Sequence, residues 1–423
     1  MLKDPKTFLV PKLRFPEFRN EPPWVTRKLG ELFRQREETG RDDLRLLSLT
    51  DKEGIIPQEE SNRKNNASVD RSKYLRVARG DIVYNTMRMW EGRSALATLE
   101  GIVSPAYTVC EPCEETNSLF FAHYFKTSQL VAQFARYSQG LVKDTLNLKF
   151  EAFARILAPT PSPAEQQKIA ECLSTLDELI EAESRKLDAL KDHKKGLMQQ
   201  LFPREGETRP RLRFPEFRDA PEWETQSLGP KTIKVGSGIT PAGGRKNYKR
   251  EGRPFIRSQN IGWGVLHLDD VAFIDEETHT SFVSTEIEIS DVLLNITGAS
   301  IGRSAVADER IAGGNVNQHV CIIRVKDDEL NPIYLNQFFL SQRGQKQIDA
   351  FQAGGNRQGL NFAQIRSFSV PLPPTLAEQH RIATCLSSLD NLIAAQGEKL
   401  EALRAHKRGL MQQLFPNPSE FES

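Results

Sequence analysis

The chain has 423 residues, enough for two or three domains, and its 57 Lys and Arg residues nearly balance its 56 Asp and Glu residues. The resulting net charge of +1 argues against a histone-like binder of nucleic acid, but it does not exclude a protein that reads a base sequence. Five Cys residues do not make a disulfide scaffold, no apolar run is long enough to span a bilayer, and the start of the chain has no signal-peptide pattern, so we expect a cytoplasmic protein.

The first element in chain order is a connector, PKLRFPEFRNEPPWVTRKLG, at residues 11–30. It recurs as PRLRFPEFRDAPEWETQSLG at residues 210–229, an offset of 199. Several prolines and the matched pair Trp24 and Trp223 predict an extended, aromatic-anchored segment and not a helix. We expect its main role to be packing against the core.

A variable region follows each connector, at residues 34–157 and 230–370, and each has a mixed α/β pattern. The short apolar runs GDIVYN (80–85) and DVLLN (291–295) predict strands, and Gly-Arg-Ser-Ala follows both at matching spacing. A helix is predicted after each of these strands, near residues 119–137 and 332–351. Polar, glycine-containing segments come next, at 140–147 and 354–361. The two regions therefore share a predicted fold although most of their sequence differs.

A long helix is predicted at residues 164–203, after a proline-rich hinge, and again at residues 377–416. The offset is 213 residues, and 27 of 40 positions are identical. Seam positions recur in steps of four and three without a break, eight of ten of them apolar, which is a heptad seam, and each run ends at Leu-Phe-Pro. A 40-residue helix is about 60 Å long, so its seam needs a partner. Pairing of the two copies with each other is favoured; packing of each helix on its own neighbouring domain is the alternative.

The two polar interruptions of each seam suggest how an antiparallel pair would align. Placing Glu183 opposite Lys407 and Lys194 opposite Gln396 predicts a register in which paired residue numbers sum to 590. The predicted helix-pair interface consists of Ile180, Glu183, Leu187, Leu190, Lys194, Leu197, Ile393, Gln396, Leu400, Leu403, Lys407 and Leu410.

The order of elements predicts four segments. They are residues 1–157 (connector and first variable domain), 158–203 (central helix), 204–370 (connector and second variable domain) and 371–423 (C-terminal helix and tail). The repeat is also cyclic, because Pro210 of a connector follows Pro203 at the end of the first helix. We therefore expect the N-terminal connector to lie beside Pro416 at the end of the second helix.

Motifs for catalysis are sparse, and we predict no catalytic residue and no metal site. The lone Gly236-Ser237-Gly238 is interpreted as a loop, and the lone Cys110 and Cys113 pair lacks a second pair of zinc ligands. Asn331-Pro332-Ile333-Tyr334 is similar to the Asn-Pro-Pro-Tyr motif of adenine methyltransferases but lacks its second proline. It is interpreted as a helix start, with Asn331 as the N-cap and Pro332 in the first position.

Basic, amide-rich loops in both variable regions are candidates for nucleic-acid binding. Lys and Arg suit phosphates, while Arg, Asn and Gln suit the edges of guanine and adenine. A solvated surface loop is the alternative, but two such loops in duplicated domains favour nucleic acid. The predicted DNA-binding residues are Arg63, Lys64, Asn65, Arg71, Lys73, Arg93, Arg245, Lys246, Asn247, Lys249, Arg253, Arg257, Arg303 and Arg357.

These features together resemble the DNA-specificity subunit of type I restriction–modification enzymes. The pattern E-Q-x-x-I-A-x-x-L, then L-D-x-x-I and K-x-G-L-M-Q-Q-L-F, is similar to the helical spacer of that family and occurs here twice. The resemblance covers nearly the whole chain; it is specific in the helices and weak in the variable regions.

The resemblance implies an α/β protein with two mixed α/β target-recognition domains separated by two long helices, which form an antiparallel coiled coil with an internal pseudo-two-fold repeat. It implies that each domain reads one half of a bipartite double-stranded DNA target. Two methyltransferase subunits would dock on the helices, and translocase/nuclease subunits would join for restriction. S-adenosylmethionine would be bound by the methyltransferase, and ATP and Mg by the translocase/nuclease, with no cofactor in this chain. A coiled-coil scaffold that binds no DNA and a self-contained methyltransferase are the competing classes.

Overall fold

A computed structural model describes residues 10–50, 53–61, 70–142, 145–241, 244–353 and 359–416. The chain divides into two units, which we call the first unit (Met1–Glu183 with Lys399–Ser423) and the second unit (Ser184–Glu398). Each unit contains one connector, one variable region and part of each long helix. This division differs from the four predicted segments because the helices do not form a body of their own.

The first unit is built on an antiparallel four-stranded sheet with the order β2-β9-β6-β7, and three two-stranded pairs accompany it, β1-β10, β3-β4 and β5-β8. The strands of the first unit are β1 (Val25–Lys28), β2 (Phe33–Gln35), β3 (Leu47–Thr50), β4 (Gly54–Pro57), β5 (Leu75–Val77), β6 (Ile82–Asn85), β7 (Ser94–Leu96), β8 (Gly101–Val103), β9 (Tyr107–Pro112) and β10 (Leu157–Thr160). Its helices are α1 (Leu29–Leu32), α2 (Ser118–Tyr124), α3 (Ser128–Tyr137), α4 (Phe150–Phe153) and the beginning of α5 (Pro163–Leu201).

The second unit repeats the four-stranded antiparallel sheet in the same order, as β12-β18-β15-β16, and adds a three-stranded sheet, β14-β13-β17, and the pair β11-β19. Its strands are β11 (Glu224–Ser227), β12 (Thr232–Ser237), β13 (Arg253–Ile256), β14 (Ala272–Ile274), β15 (Val292–Asn295), β16 (Ser304–Val306), β17 (Asn315–Val316), β18 (Val320–Val325) and β19 (Ser369–Leu372). Its helices are α6 (Glu276–Ser281), α7 (Pro332–Leu340), α8 (Gln342–Ala353), α9 (Phe362–Arg366) and the beginning of α10 (Leu376–Leu414).

The predicted common fold of the variable regions is confirmed, with β6 and β15 at the predicted strands. The interpretation of Gly236-Ser237-Gly238 as a loop is wrong for its first two residues. Gly236 and Ser237 lie in β12, where they pair with Ile322 and Cys321 of β18. A glycine without a positive φ angle is compatible with a strand, so the motif carried no information about a turn.

The two helices predicted after the sheet strands are each broken into two. In the first unit the break falls at Thr127, whose hydroxyl donates to the Tyr124 carbonyl at 2.7 Å. In the second unit it falls at Ser341, whose hydroxyl donates to the Phe338 carbonyl at 2.6 Å. In both cases a hydroxyl satisfies a carbonyl at the end of the first helix, which allows the chain to turn before the next helix begins.

The start of α7 is as predicted. The Asn331 side chain accepts a hydrogen bond from the Tyr334 N–H at 2.9 Å, and Pro332 occupies the first helical position. Asn117 caps α2 in the same way, accepting from the Phe120 N–H at 3.0 Å. The sequence Asn-Pro-Ile-Tyr is therefore a helix start here.

The ends of the long helices are buried in the cores of the units. In the first unit, Phe415, just beyond the end of α10, stacks on Tyr124 with ring centroids 4.6 Å apart, and it also contacts Trp24. In the second unit, Phe202, just beyond the end of α5, packs on Tyr334 at 5.4 Å within the cluster that contains Trp223. The connector tryptophans are thus core anchors, as predicted.

The cyclic nature of the repeat is confirmed by two equivalent hydrogen bonds. The Leu13 N–H donates to the Gln413 carbonyl at 3.0 Å, and the Leu212 N–H donates to the Gln200 carbonyl at 3.0 Å. Each connector therefore runs beside the end of a long helix, the first beside α10 and the second beside α5.

A buried ion pair attaches each connector to the start of the other helix in its unit. Arg14 binds Glu165 through two hydrogen bonds of 2.8 and 2.7 Å, and Arg213 binds Glu378 through two of 2.7 and 2.8 Å. Each guanidinium also donates to two connector carbonyls, those of Glu21 and Pro22 or of Ala220 and Pro221. Bidentate geometry and the added carbonyls satisfy charges that burial would otherwise leave unpaired.

The seam of the long helices is present, because all twelve predicted interface residues are buried or half-buried. In the first unit, Lys407 binds Asp177 at 2.5 Å, and Lys399 binds Glu183. Asp177 precedes Glu183 in α5, whereas Lys407, the partner of Asp177, follows Lys399, the partner of Glu183, in α10. The two segments therefore run antiparallel.

The predicted register, however, is wrong. Lys407 lies against Asp177 instead of Glu183, and in the second unit Lys194 binds Asp390 at 2.5 Å instead of facing Gln396. In both lysine pairs the residue numbers sum to 584, not 590. The prediction paired seam positions only with each other. A lysine side chain is long enough to leave the seam and reach a carboxylate beside it.

Candidate nucleic-acid interface

The candidate loop of the first unit lies between β4 and β5. Arg63, Lys64 and Asn65 lie outside the described residues. Of the residues that follow, Arg71 is half-buried and Lys73 is exposed. The adjacent Tyr74 is buried in a small cluster with Leu46 and Ile102, so this end of the loop is anchored to the domain. A loop that is anchored at one end and carries an exposed lysine and a half-buried arginine suits contact with an extended polyanion.

The candidate loop of the second unit lies between β12 and β13. Lys246 is exposed in a short 3-10 turn, while the side chains of Arg245 and Asn247 and the whole of Arg357 lie outside the described residues. Lys249 is also exposed and forms an ion pair of 3.2 Å with Asp275. Hydrogen bonds from Thr278, together with Lys249, lower the pKa of Asp275 to about 2, so this carboxylate stays charged at neutral pH.

Two further candidates, Arg253 and Arg257, already have protein partners. Arg253 donates to both carboxylate oxygens of Glu276 at 2.9 Å. Arg257 donates to the Asp270 carbonyl at 2.7 Å and lies over the ring of Tyr248, 5.6 Å from its centroid. These contacts order the three-stranded sheet, and DNA contact by either arginine stays a prediction.

Arg93 and Arg303 lie in equivalent turns of the two four-stranded sheets. Arg93 lies between β6 and β7, and Arg303 lies between β15 and β16. The preceding glycines, Gly92 and Gly302, have φ angles of +78° and +86°, which favour glycine. A Cβ at Gly302 would also lie 2.7 Å from the Gln345 side chain. Arg93 lies 3.5 Å from Glu91, whereas Arg303 has no carboxylate within ion-pair distance among the described residues. Arg303 is therefore a cation without local neutralisation beside the sheet.

Sequence reasoning missed the contacts that join a short helix of each variable region, α2 or α7, to the long helices. In the first unit His123 of α2 lies 3.9 Å from Asp177 and within hydrogen-bond distance, 3.2 Å, of Ser174. Burial lowers the pKa of His123 to about 4, with Lys407 acting in the same direction and Asp177 against it, so the imidazole is neutral at pH 7. The equivalent residue in the second unit, Gln337, donates to Asp390 at 2.7 Å.

Two further features, a metal-binding cluster and a membrane-spanning helix, are absent from the described residues. In that part of the chain, no group of three or more His, Cys, Asp or Glu side chains is arranged to hold a metal ion. Within the same ranges no helix combines the length and the apolar character that crossing a membrane requires.

Comparison with known proteins gives a consistent picture. A family model described as "Type I restriction modification DNA specificity domain" matches residues 21–192 and 245–405. The chain is 23% identical over 357 residues to the type I restriction enzyme MjaVIII specificity subunit of Methanocaldococcus jannaschii, covering 81% of this chain and 82% of that protein. It is 24% identical over 360 residues to the putative MjaX specificity subunit of the same organism, covering 82% and 80%.

Solved structures show the same fold at low identity. The S subunit of the type I restriction–modification system of M. genitalium aligns with 97% of this chain and 100% of its own, at 15% identity and a TM-score of 0.61. A chain from a study of complex assembly and conformational transition in the type I system aligns with 93% and 98%, at 17% identity and a TM-score of 0.54.

Proposed function

Because the chain belongs to the type I restriction modification DNA specificity family, we propose that each of its two variable regions reads one half of a bipartite double-stranded DNA target. The chain is a specificity subunit and not itself a catalyst; in such systems catalysis resides in partner subunits. The long helices set the distance between the half-sites and dock two methyltransferase subunits. Translocase/nuclease subunits join for restriction, and S-adenosylmethionine, ATP and Mg belong to these partners.

The observation that carries the proposal is that both units contain the same four-stranded sheet, while the further strands that accompany it differ between them. Both units have the four-stranded order in common, but the first adds the pairs β3-β4 and β5-β8 and the second adds the sheet β14-β13-β17. A repeated scaffold suits a repeated task, such as docking two identical partners. Different additions suit two different half-sites, because base edges are read by side chains whose type and placement must match each base.

The proposal is tested by exchanging one variable region. Residues 34–157 are replaced by the corresponding region of a relative with a known, different target, and the chimera is expressed with its methyltransferase partner. Mapping the methylated sites across a genome should show one new half-site and one unchanged half-site. The reciprocal exchange of residues 230–370 is the matched control and should change the other half. A change in both halves after one exchange would contradict the division.

The basic loops are tested separately by substitution. Lys246→Ala, if it removes a phosphate contact, should weaken binding to all sequences alike and lower the slope of log affinity against log salt by about one. Alanine at a base-contacting residue among Arg63, Lys64, Arg245 and Lys249 should cost about 1–3 kcal/mol and relax one position of the target. Lys326→Ala is the control, because Glu329 neutralises Lys326 at 3.2 Å. A scaffold that binds no DNA would give no salt-dependent gel shift in any of these proteins.

A further inference from the structure

The second unit contains a cavity of about 890 Å³ where the last turns of α5, the connector and the first turn of α8 meet. Buried or half-buried apolar side chains, Met198, Phe202 and Leu340, form part of its wall. Six cations line it: Lys194, which binds Asp390, and a group of five, Lys191, Lys195, Arg204, Arg211 and Arg343. We call this feature the basic cleft.

Most of the positive charge of the basic cleft is not balanced by ion pairs with the described residues. None of the five cations has a carboxylate within ion-pair distance in the described ranges, and no Asp or Glu lines the cavity. Lys194, which also lines it, is neutralised by Asp390. A concave surface that carries charge of one sign focuses the electrostatic field and attracts counter-ions.

Arg343 is the least exposed of the five cations and is held in place by neutral groups. Its guanidinium donates to the Pro203 carbonyl at 3.2 Å and lies 3.4 Å from the Thr225 hydroxyl. Burial lowers the pKa of Arg343, and the charge of Glu205, which acts in the opposite direction, does not cancel this effect. The guanidinium is thus oriented before any ligand binds.

The internal repeat shows which charges belong to the scaffold. Lys191 and Lys195 correspond to Arg404 and Arg408, and Arg211 corresponds to Lys12. The residue type changes at all three positions, but the positive charge stays. A ligand that requires charge and not a particular side chain is indicated, as for the phosphates of a nucleic-acid backbone.

The basic cleft continues toward the recognition sheet of its own unit. Gln345, which lines the cleft, donates to the Gly302 carbonyl at 3.0 Å. The next residue is Arg303, the candidate cation without a carboxylate partner. The basic cleft is therefore in contact, through Gln345, with the turn that carries Arg303, and this continuity favours DNA over an acidic protein segment as the ligand.

We propose that the basic cleft binds backbone phosphates of double-stranded DNA next to the half-site read by the second unit, as an anchor that does not depend on base sequence. This inference rests on the proposed function. It adds a site outside the basic loops, formed by residues of α5, the connector and α8.

The test uses the complete chain in complex with its methyltransferase partner. Lys191→Ala/Lys195→Ala removes two exposed cations, and Arg343→Gln introduces the residue found at the equivalent position of the first unit, Gln129. Lys326→Ala is the matched control. Binding of a duplex carrying the mapped target and of a non-target duplex of equal length is measured at several salt concentrations.

We expect the double variant to lower the slope of log affinity against log salt by about two, since each lost phosphate contact contributes about 0.9. Target and non-target duplexes should weaken by the same factor, so the ratio of their affinities stays unchanged. Arg343→Gln should lower the slope by about one.

Variants that bind with the slope and affinity of Lys326→Ala would overturn the inference. So would loss of methyltransferase binding with unchanged DNA affinity per assembled complex, which would assign the cleft to an acidic protein segment. If the unmodified complex did not distinguish target from non-target DNA, the proposed function itself would fail.

Discussion

In the first unit the common four-stranded sheet carries two separate two-stranded pairs, whereas in the second unit it carries one three-stranded sheet with a parallel pairing of β13 and β17. The scaffold around these additions is closely similar in the two units. Arg14–Glu165 matches Arg213–Glu378, and the two guanidinium groups donate to equivalent connector carbonyls. The largest differences thus lie in the parts that do not hold the helices, which agrees with the proposal that the two regions read different half-targets.

A smaller difference lies where α2 or α7 meets the long helices. Asp177 faces Lys407 and the imidazole of His123, while Asp390 faces Lys194 and the amide of Gln337. The lysine–aspartate pair is common to both units, and only the third group differs. The first unit therefore contains a titratable group at a position where the second has none.

The largest expected effect comes from the buried glutamates. Removal of one partner from a buried ion pair costs about 3–5 kcal/mol, so Glu165→Gln and Glu378→Gln should each destabilise the unit that contains them. Glu378 also accepts from the Trp223 indole at 3.2 Å, whereas the Trp24 indole has no partner among the described residues. Glutamine keeps an oxygen that can accept from this indole, so the two substitutions should cost similar amounts.

Hydrogen exchange of amides in each unit measures these losses separately. Asp308→Asn, which removes a partly exposed pair with Arg310, is the control and should change the free energy of opening by less than about 1 kcal/mol. Glutamate variants that behave like this control would show that the buried pairs do not stabilise the units.

The next effect concerns spacing. Insertion of four residues between Glu183 and Ser184 and of four between Glu398 and Lys399 leaves the lysine–aspartate pair of each unit intact while lengthening both helices by about 6 Å. The gap between half-sites should grow by about one or two base pairs, each rising about 3.4 Å, with both half-sites unchanged. Genome-wide mapping of methylated sites measures the gap. A double insertion that methylates at the original spacing would exclude the helices as the ruler.

A third effect depends on pH. An unfolded chain protonates His123 near pH 6.5, but the folded first unit does so only near pH 4. Between these values the unfolded state binds the extra proton, so the stability of the first unit should fall as the pH falls from about 6.5 to about 4 and level off below. His123→Gln should remove this dependence, and Gln337→His should introduce it in the second unit. Thermal unfolding with hydrogen exchange at pH 7 and pH 5 tests both; equal pH dependence of all three proteins would contradict the assignment.

The last prediction is that circular permutation at the central connector has no effect on folding or methylation. A permutant opened between Gly206 and Glu207, with a short linker joining the original ends, should fold and methylate normally, because Leu13 already binds the end of α10 as Leu212 binds the end of α5. A permutant opened within β15 is the control and should not fold, since that strand pairs on both sides. A soluble β15 permutant, or an insoluble permutant at Gly206, would contradict the equivalence of the two connectors.

The sequence by itself determined the features that depend on local pattern or on internal repetition. The heptads of α5 and α10, the strands β6 and β15, the cap at Asn331 and the cyclic order of connector and helix each follow from spacing within one segment or from comparison of two copies. These features are local, so neighbouring residues are sufficient to specify them.

Other features were decided only by the tertiary structure, because their causes lie far apart in the chain. The register of the helices depends on Lys407 reaching Asp177, which lies 230 residues away, and a seam pattern does not indicate which carboxylate beside the seam is closest. Thr127 and Ser341 break helices by binding carbonyls, although the apolar pattern continues through both. The residues next to Lys191 or Arg343 in the sequence likewise do not indicate whether that residue has an anionic partner. A cation is neutralised by whatever the fold brings within about 4 Å, and at the basic cleft the fold brings Asp390 to Lys194 but none of the described carboxylates to Lys191 or Arg343.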